Sequence, residues 1–322
     1  MKSETKSEIS VTCKTCNAAC QRFGRNRNGS QRFRCPVCKK TYSEPRQKIM
    51  PTMYLSEEKA LLALRLLLEG ASLRATERVS GVDRTTLAKL LVQAGERCET
   101  LMAETISGLP VRDVEADEIW GFVGMKEKAK GNRYADVETL GDAYTYVGME
   151  ANSKLILAWH LGKRSRSDTL TFIFNLRRAT KGIFQLTTDG WPSYPEAVER
   201  VFGNDIHYAQ LVKVYAASRD SEARYSPAEV VDVEVVPRAG MPDFERVCTS
   251  HVERQNLTMR MQIRRLTRLT NAFSKKWDNL KAAVALHFAF YNFCRIHQTL
   301  RVTPAMEAGL TDHVWELKEL LA

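Results

Sequence analysis

Three carboxylates on separate segments could together perform phosphoryl-transfer chemistry. Asp117 lies in an otherwise apolar run typical of a strand, Asp189 ends a buried strand-like run just before Gly190, and Glu253 heads a basic amphipathic helix. If the two strands lie side by side in a mixed sheet and the helix packs across the same edge, the three groups converge. Three such carboxylates can hold two divalent cations about 3.5–4 Å apart, which is the arrangement used for phosphodiester displacement. Oxygen-only ligands favour Mg²⁺ (or Mn²⁺) in this two-ion site.

Each carboxylate also has an ordinary structural explanation. Asp117 could be a charge on an edge strand, Asp189 a turn residue of an Asp-Gly pair, and Glu253 a solvated side chain. The combination of all three favours catalysis over these separate explanations. Glu118 adjoins Asp117, so a shift of one residue would make Glu118 the first carboxylate. We assign Asp117 because it shares a strand face with Ile119.

The segment around Glu253 predicts a helix that starts at Ser250 and continues to about Leu269. At 100° per residue, Glu253, Arg260 and Arg264 lie within roughly 20° of one another. A carboxylate therefore heads a basic stripe, and we predict that Arg260 and Arg264 position the phosphates of DNA.

Two Cys-x-x-Cys pairs near the N-terminus predict a zinc site. They are separated by eighteen residues and consist of Cys13, Cys16, Cys35 and Cys38. This spacing is typical of a zinc knuckle or ribbon, in which two turns each present two thiolates. Four thiolates leave no open position for a substrate, so the Zn²⁺ would be structural. Basic and aromatic residues surround the ligands, as in modules that bind nucleic acid.

The next segment predicts a helix-turn-helix. A helix from Glu57 to about Glu69 is followed by a short helix from Leu73 to Val79, by Gly81, and by a third helix capped by Asp83. The third helix would lie in the major groove of double-stranded DNA. Its exposed early positions are the expected DNA contacts: Arg84, Thr85, Thr86 and Lys89. A three-helix bundle packed for structural reasons alone is the alternative.

From Val111 onwards the pattern changes to strands. It predicts three antiparallel strands, a helix, a parallel strand ending at Asp189, a helix, a further strand, and then the Glu253 helix. The predicted fold class is therefore multidomain α/β. We divide the chain into a zinc-binding module (1–48), a helix-turn-helix domain (52–105), a catalytic domain (111–270, with a probable insertion at 219–246) and a C-terminal helical region (271–322).

Charge and hydropathy narrow the class of partner. The formal net charge is +10. Residues 1–50 carry twelve Lys or Arg against three Glu, and residues 254–281 carry eight against Asp278 alone. Two basic blocks predict two contacts with a polyanion, most simply nucleic acid. The polar N-terminus and the absence of a long apolar run predict neither a signal peptide nor a membrane span, and hence a cytoplasmic protein.

At these residues the sequence resembles the DDE transposases of bacterial insertion sequences, specifically those of the insertion-sequence-one type. The resemblance covers nearly the whole chain and is carried by the paired cysteines, the helix-turn-helix and three blocks: Asp117-Glu118-Ile119-Trp120-Gly121-Phe122-Val123, Asp189-Gly190-Trp191-Pro192-Ser193-Tyr194, and Val252-Glu253-Arg254-Gln255-Asn256-Leu257-Thr258-Met259-Arg260. It implies a ribonuclease-H-like mixed β-sheet flanked by helices and a catalytic triad of Asp117, Asp189 and Glu253. It also implies two metal ions and a bacterial host.

The resemblance implies cut-and-join chemistry at the ends of a mobile element. Hydrolysis would free a 3′-hydroxyl at the element end, and that hydroxyl would attack target DNA. Joining two ends requires both in one complex, so we expect at least a homodimer bound to terminal inverted repeats and target. Two alternatives stay open. One is a DNA-binding regulator that has lost catalysis, and the other is a two-metal nuclease that cuts without joining.

Overall fold

The computed structural model describes residues 11–26, 30–43, 53–215 and 230–322. The chain forms two compact units, Met1–Glu57 and Glu58–Ala322. In the described part of the N-terminal unit, an antiparallel sheet is formed by strands β1 (Gln21–Arg25), β2 (Gln31–Arg34) and β3 (Thr41–Ser43). Turns at 14–16 and 36–38 carry the two cysteine pairs.

The C-terminal unit begins with three helices. They are α1 (Glu57–Leu68), α2 (Leu73–Ser80) and α3 (Arg84–Thr105). Ser72 caps α2, and Gly81 ends it with a φ of 67°, a left-handed conformation that glycine adopts without strain. Asp83 caps α3 by accepting hydrogen bonds from the N–H groups of Thr85 and Thr86, as its sequence position predicts. Helix α3 continues to Thr105.

A mixed sheet forms the centre of the C-terminal unit. Among the described residues it has six strands: β5 (Asp113–Val123), β6 (Gly141–Glu150), β7 (Ile156–Gly162), β9 (Gln185–Asp189), β10 (His207–Tyr215) and β11 (Val230–Ala239). Their order is β11-β10-β9-β5-β6-β7. Strands β5, β6 and β7 are antiparallel, whereas β9 runs parallel to both β5 and β10. This mixed α/β architecture is the one that the sequence predicts.

The remaining elements flank this sheet. The two-residue strands β4 (Leu109–Pro110) and β8 (Thr180–Lys181) pair with each other. The helices are α4 (Arg166–Ala179), α5 (Tyr194–Phe202), α6 (Ser250–Gln262), α7 (Trp277–Phe293) and α8 (Pro304–Glu307). Helix α7 is buried along most of its length, and the ring of Phe288 lies 5.9 Å from that of Trp159 on β7. No helix in the described ranges combines the length and hydropathy required to cross a membrane.

One sequence prediction needs correction. Helix α6 ends at Gln262 rather than near Leu269, because Ile263 adopts an extended conformation (φ −93°, ψ 94°). Arg264 therefore lies in a separate 3₁₀ turn, Arg264–Leu266, and helical periodicity no longer aligns it with Glu253 and Arg260. The 219–246 segment contains β11, which pairs antiparallel with β10 and forms the edge of the central sheet. Residues 219–229 of that segment lie outside the described ranges.

Candidate active site

Strand register brings the two aspartates together. Strands β5 and β9 are parallel neighbours, and their pairing ends at Ala116 opposite Thr188. Asp117 and Asp189 are the next residues on each strand, so both carboxylates emerge at the same edge of the sheet. Oxygens of Asp117, Asp189 and Glu118 lie within 4.8 Å of one another. Glu118 reaches this cluster although it alternates with Asp117 along the strand, because β9 stops here and no longer fills the space beside β5.

Glu253 reaches the same cleft from the first turn of α6. The cleft has a volume of about 710 Å³ and is lined by Asp117, Glu118, Asp189 and Glu253, together with Arg164, Lys213, Arg260 and Arg268. Glu253 is not part of the tight carboxylate cluster. Its Oε1 lies 2.5 Å from Lys213 Nζ and accepts a hydrogen bond of 2.6 Å from the Thr249 hydroxyl. The structure thus brings the three predicted catalytic residues to one cleft and adds Glu118.

Glu115 attaches α6 to the strand that carries Asp117. This buried carboxylate accepts hydrogen bonds from the backbone N–H groups of His251 (2.9 Å) and Val252 (3.1 Å). His251 Nδ1 also lies 2.6 Å from Glu115 Oε1. These N–H groups belong to the first turn of α6, which has no intrahelical acceptors for them. Farther along the helix, the Asn256 amide donates to Asp117 Oδ2 (2.8 Å). The position of Glu253 relative to Asp117 is therefore fixed by direct bonds between helix and strand.

Burial and mutual repulsion disfavour ionisation in the cluster. Burial, reinforced by the charges of Asp189 and Glu253, raises the pKa of Asp117 to about 6. Burial is also the largest cause that raises the pKa of Asp189 and that raises the pKa of Glu118 to about 8. Full ionisation of the cluster is thus unfavourable without a further cation.

Two protein cations partly balance these carboxylates. The Arg164 guanidinium lies 3.2 Å from Glu118 and 3.7 Å from Asp189, and it stacks on the Trp191 ring at 4.1 Å. Lys213 pairs with Glu253 on the other side of the cleft. The oxygen-only cluster of Asp117, Glu118 and Asp189 fits a divalent cation, because a bound cation would favour the ionised form of carboxylates whose pKa values burial and mutual repulsion raise. Glu253 faces the same cleft and is suitable as a further carboxylate ligand.

The predicted zinc ligands form a second candidate metal site, in the N-terminal unit. The sulfurs of Cys13, Cys16, Cys35 and Cys38 lie within 4.8 Å of one another. The Cys13–Cys38 and Cys16–Cys35 separations are 3.4 and 3.3 Å. A tetrahedron with Zn–S bonds of about 2.3 Å has edges of roughly 3.8 Å, so the arrangement fits Zn²⁺. The Tyr42 hydroxyl, 3.1 Å from Cys13, is the largest cause that lowers the pKa of that thiol to about 5.

Cys16→Ser is expected to reduce the zinc content from one ion per chain to near zero. Three thiolates bind zinc more weakly than four, and a structural zinc site contributes its binding free energy to the folding of a small unit. The measurement is metal content after gel filtration, combined with limited proteolysis of residues 1–57. Cys20→Ser is the matched control, because Cys20 lies outside the four-sulfur cluster. Equal zinc loss in both variants would contradict the assignment.

The predicted DNA-binding residues occupy two places in the C-terminal unit. Arg84, Thr85 and Lys89 are exposed at the start of α3, and Thr86 is half-buried beside them. Arg84 forms an ion pair of 2.9 Å with Glu77 of α2. Arg260 lines the carboxylate cleft and donates to the backbone oxygens of Leu266 and Trp120. Arg264 lines a different cleft, next to α2.

Sequence reasoning missed four residues of this site. Glu115 stands two positions before Asp117, so strand alternation places it on the same face and could have identified it. His251 immediately precedes the Val252–Arg260 block. No sequence motif marked Arg164 or Lys213. Each lines the cleft because of where the fold places the β7–α4 connection and strand β10.

The chain matches no protein-family model, and no curated protein resembles it in sequence. Among solved structures it is similar to a piggyBac transposase synaptic complex with hairpin DNA, with 10% identity over 86% of this chain and 72% of that chain and a TM-score of 0.39. It is also similar to a Mos1 transposase paired-end complex with the left transposon end (14% identity, 52% of this chain, 62% of that chain, TM-score 0.19) and to the Mos1 strand transfer complex (14%, 75%, 78%, 0.20). These neighbours are DNA transposases, but the likeness is distant.

Proposed function

We propose that the chain is a DDE-type DNA transposase of an insertion sequence, with Asp117, Asp189 and Glu253 as its catalytic acids. The observation that carries this proposal is their placement. Two carboxylates emerge where the pairing of the parallel strands β5 and β9 ends, and a third faces them from a helix bonded to β5. Cationic side chains share the cleft, as expected of a site for a phosphodiester. The insertion-sequence-one type and the ribonuclease-H-like fold class are part of the same proposal.

The three acids would hold two Mg²⁺ or Mn²⁺ ions, which supply activation of the attacking oxygen and stabilisation of the leaving oxygen. The cationic side chains of the cleft have roles distinct from those of the metal ions. Arg260 and Arg268 line the cleft where they can contact phosphates of the bound strand. Arg164 is held by the Trp191 ring and by Glu118, so its guanidinium stays at the cluster without obstructing Asp117. Lys213 neutralises Glu253 until metal and DNA are bound.

The proposed reaction has two steps on DNA. Hydrolysis frees a 3′-hydroxyl at an element end, and in-line attack of that hydroxyl on target DNA then exchanges one phosphodiester bond for another. The number of such bonds is conserved in the second step, so no nucleoside triphosphate is consumed. We propose that α3 and the zinc-binding module contact the terminal repeats, with Arg84, Thr85, Thr86 and Lys89 at the major groove. Two ends must be joined together, so the active form is at least a homodimer.

The test uses purified full-length protein, Mg²⁺ and duplex DNA carrying the sequences that flank its own gene. Wild type is compared with Asp189→Asn and with Asp205→Asn, a matched change at an exposed turn after α5. We expect end-specific nicks and joined products from wild type and Asp205→Asn, and neither product from Asp189→Asn. Nicks without joined products in Mg²⁺ and Mn²⁺ would indicate a nuclease. Bound but uncut DNA with all three proteins would indicate a regulator, and both results would contradict the proposal.

A further inference from the structure

A second cleft, of about 610 Å³, lies beside the start of α2 and contains an unusual concentration of positive charge. It is bordered by α2, by the first residue of α3 and by the chain between α6 and α7. Its cations are Arg74, Arg84, Arg264, Arg265 and Lys275. Among the described residues, no Asp or Glu lines this cleft. Arg84 pairs with Glu77 at 2.9 Å, but the other four cations have no facing carboxylate in the described part of the chain and repel one another, so the cleft is electrostatically incomplete by itself.

Three of these cations have no acidic partner elsewhere. The side chains of Arg74, Arg264 and Arg265 form no ion pair or hydrogen bond with any residue in the described ranges. Arg265 is the most informative of the three, because burial lowers its pKa to about 10. A desolvated guanidinium without a counter-charge destabilises the folded protein unless a ligand supplies one. The ligand that fits is an anion with several charged groups.

The polar groups of the cleft match phosphate oxygens. Asn271 and Asn279 contribute amide side chains, whereas the hydroxyls of Thr270 and Ser274 already donate to the backbone oxygens of Thr267 and Lys276. The first turn of α2 also borders the cleft, and its backbone N–H groups add partial positive charge. Arginine, amide and backbone N–H donors are among the groups that hold the phosphate backbone of DNA.

The second cleft lies between the start of α3 and the chain that follows the catalytic helix α6. Arg84 opens α3, whereas Arg264 follows the end of α6, only four residues after Arg260 in the carboxylate cleft. Close packing fixes the spacing of these parts. A Cβ on Gly70, after α1, would lie 2.7 Å from the Met261 carbonyl oxygen, and a Cβ on Gly95 of α3 would lie 2.4 Å from Ala282 Cα of α7. Helix α3 is thus packed directly against α7, and the chain at the end of α1 lies against the end of α6.

We propose that this second cleft binds consecutive backbone phosphates of duplex DNA and thereby sets the path of the duplex from α3 to the catalytic cleft. The inference rests on the proposed function for the choice of DNA as ligand. It assigns Arg74, Arg264 and Arg265 as sequence-independent contacts. Their loss therefore weakens binding to every duplex by a similar factor and reduces its dependence on salt.

The experiment measures the affinity for two 30-base-pair fluorescent duplexes, one with the flanking-gene sequence and one unrelated. Affinity is measured as a function of NaCl, in EDTA so that no catalysis occurs. The test variant is Arg74→Gln/Arg264→Gln, and both positions can change without disturbing the core. The matched control is Lys181→Gln/Arg200→Gln, which removes the same charge from exposed positions on β8 and α5. Two lost phosphate contacts should reduce the slope of log K against log salt by about 1.8 and weaken binding on the order of 10-fold or more near 0.1 M salt.

Equal slopes for wild type and the test variant, or an equal change in the control, would overturn the proposal. Because a flanking-gene duplex and an unrelated duplex are both used, a loss confined to one of them would also overturn it, since it would indicate base recognition. The binding measurement does not require catalysis, so it can be made and interpreted even if the protein fails to cleave DNA in the earlier assay. A non-catalytic protein with the predicted slope change would contradict the transposase proposal alone.

Discussion

Asp117→Asn is expected to abolish DNA cleavage and joining while it stabilises the metal-free protein. Removing one of three ligands to a two-ion site should reduce the cleavage rate by at least about 10³-fold, equivalent to roughly 4 kcal/mol of transition-state stabilisation. The stability gain has a different origin. Burial and the neighbouring carboxylates raise the pKa of Asp117 to about 6, so the ionised side chain is unfavourable in the folded state. Asparagine removes that charge and keeps an oxygen for the Asn256 amide.

The gain should depend on pH in a defined direction. The ordinary pKa of an Asp is 3.8 and the folded value is about 6, so between these values the folded protein binds more protons than the unfolded chain. The free energy of unfolding of wild type therefore falls as pH rises through this window, and the Asn variant lacks this loss. We expect the two proteins to be equally stable near pH 4 and to differ by on the order of 2 kcal/mol at pH 7.5, measured by urea unfolding in EDTA.

Asp113→Asn is the matched control on the same strand. Asp113 pairs with Arg246 at 3.2 Å and does not line the catalytic cleft. This variant should retain cleavage, and Arg246 keeps its second ion pair, with Asp243 at 3.0 Å. Mg²⁺ should raise the Tm of wild type and of Asp113→Asn but not of Asp117→Asn, since a ligand stabilises only the state that binds it. A Tm increase by Mg²⁺ in all three proteins would contradict the assignment of Asp117 as a ligand.

The order of strands and helices was accessible from the sequence because local patterns specify it. The alternation around Asp117, the cap Asp83 and the turn glycine Gly81 all act within a few residues, and the structure shows each of them in the predicted place. The end of α6 was not accessible in this way. Residues 263–266 continue a helical pattern of apolar and basic residues, yet Ile263 turns out of the helix and becomes buried beside Leu266.

The electrostatic details of the cleft depend on contacts between distant segments. Glu118 reads as a residue of the opposite strand face, and it joins the cluster only because β9 ends at Asp189. Arg164 lies in the connection between β7 and α4, and its place follows from stacking on Trp191, 27 positions later. Local periodicity carries no information about such pairs, so the sequence could predict the three acids but not the cations that balance them.

Glu115→Ala is expected to lower cleavage about 10²-fold and to raise the Mg²⁺ concentration needed for half-maximal rate, although Glu115 does not line the cleft. Its side chain is only 3% exposed and accepts the first N–H groups of α6. Without it, the first turn of the helix loses its bonds to β5, and Glu253 is held less firmly opposite Asp117. A displacement of about 1 Å in a catalytic group is enough for a 10²-fold loss. Rates measured across a Mg²⁺ titration separate this effect from a simple loss of active protein.

A conservative variant distinguishes positioning from packing. Glu115→Gln keeps an oxygen that can accept from His251 and Val252, and its amide can donate to His251 Nδ1 in the tautomer that carries its proton on Nε2. We expect Gln to restore activity to within about 10-fold of wild type. It should also return the half-saturating Mg²⁺ concentration to the wild-type value.

Glu150→Ala supplies the control for lost stability. Glu150 is 6% exposed, lies on the neighbouring strand β6, and accepts the N–H groups of Asn152 and Ser153 in the turn before β7 rather than those of α6. Both alanine variants leave two backbone donors without a carboxylate, at a cost of about 1–3 kcal/mol each. Only the Glu115 variant should change the Mg²⁺ dependence. If both variants lost the same Tm and the same activity, with unchanged half-saturation, Glu115 would stabilise the fold without positioning Glu253.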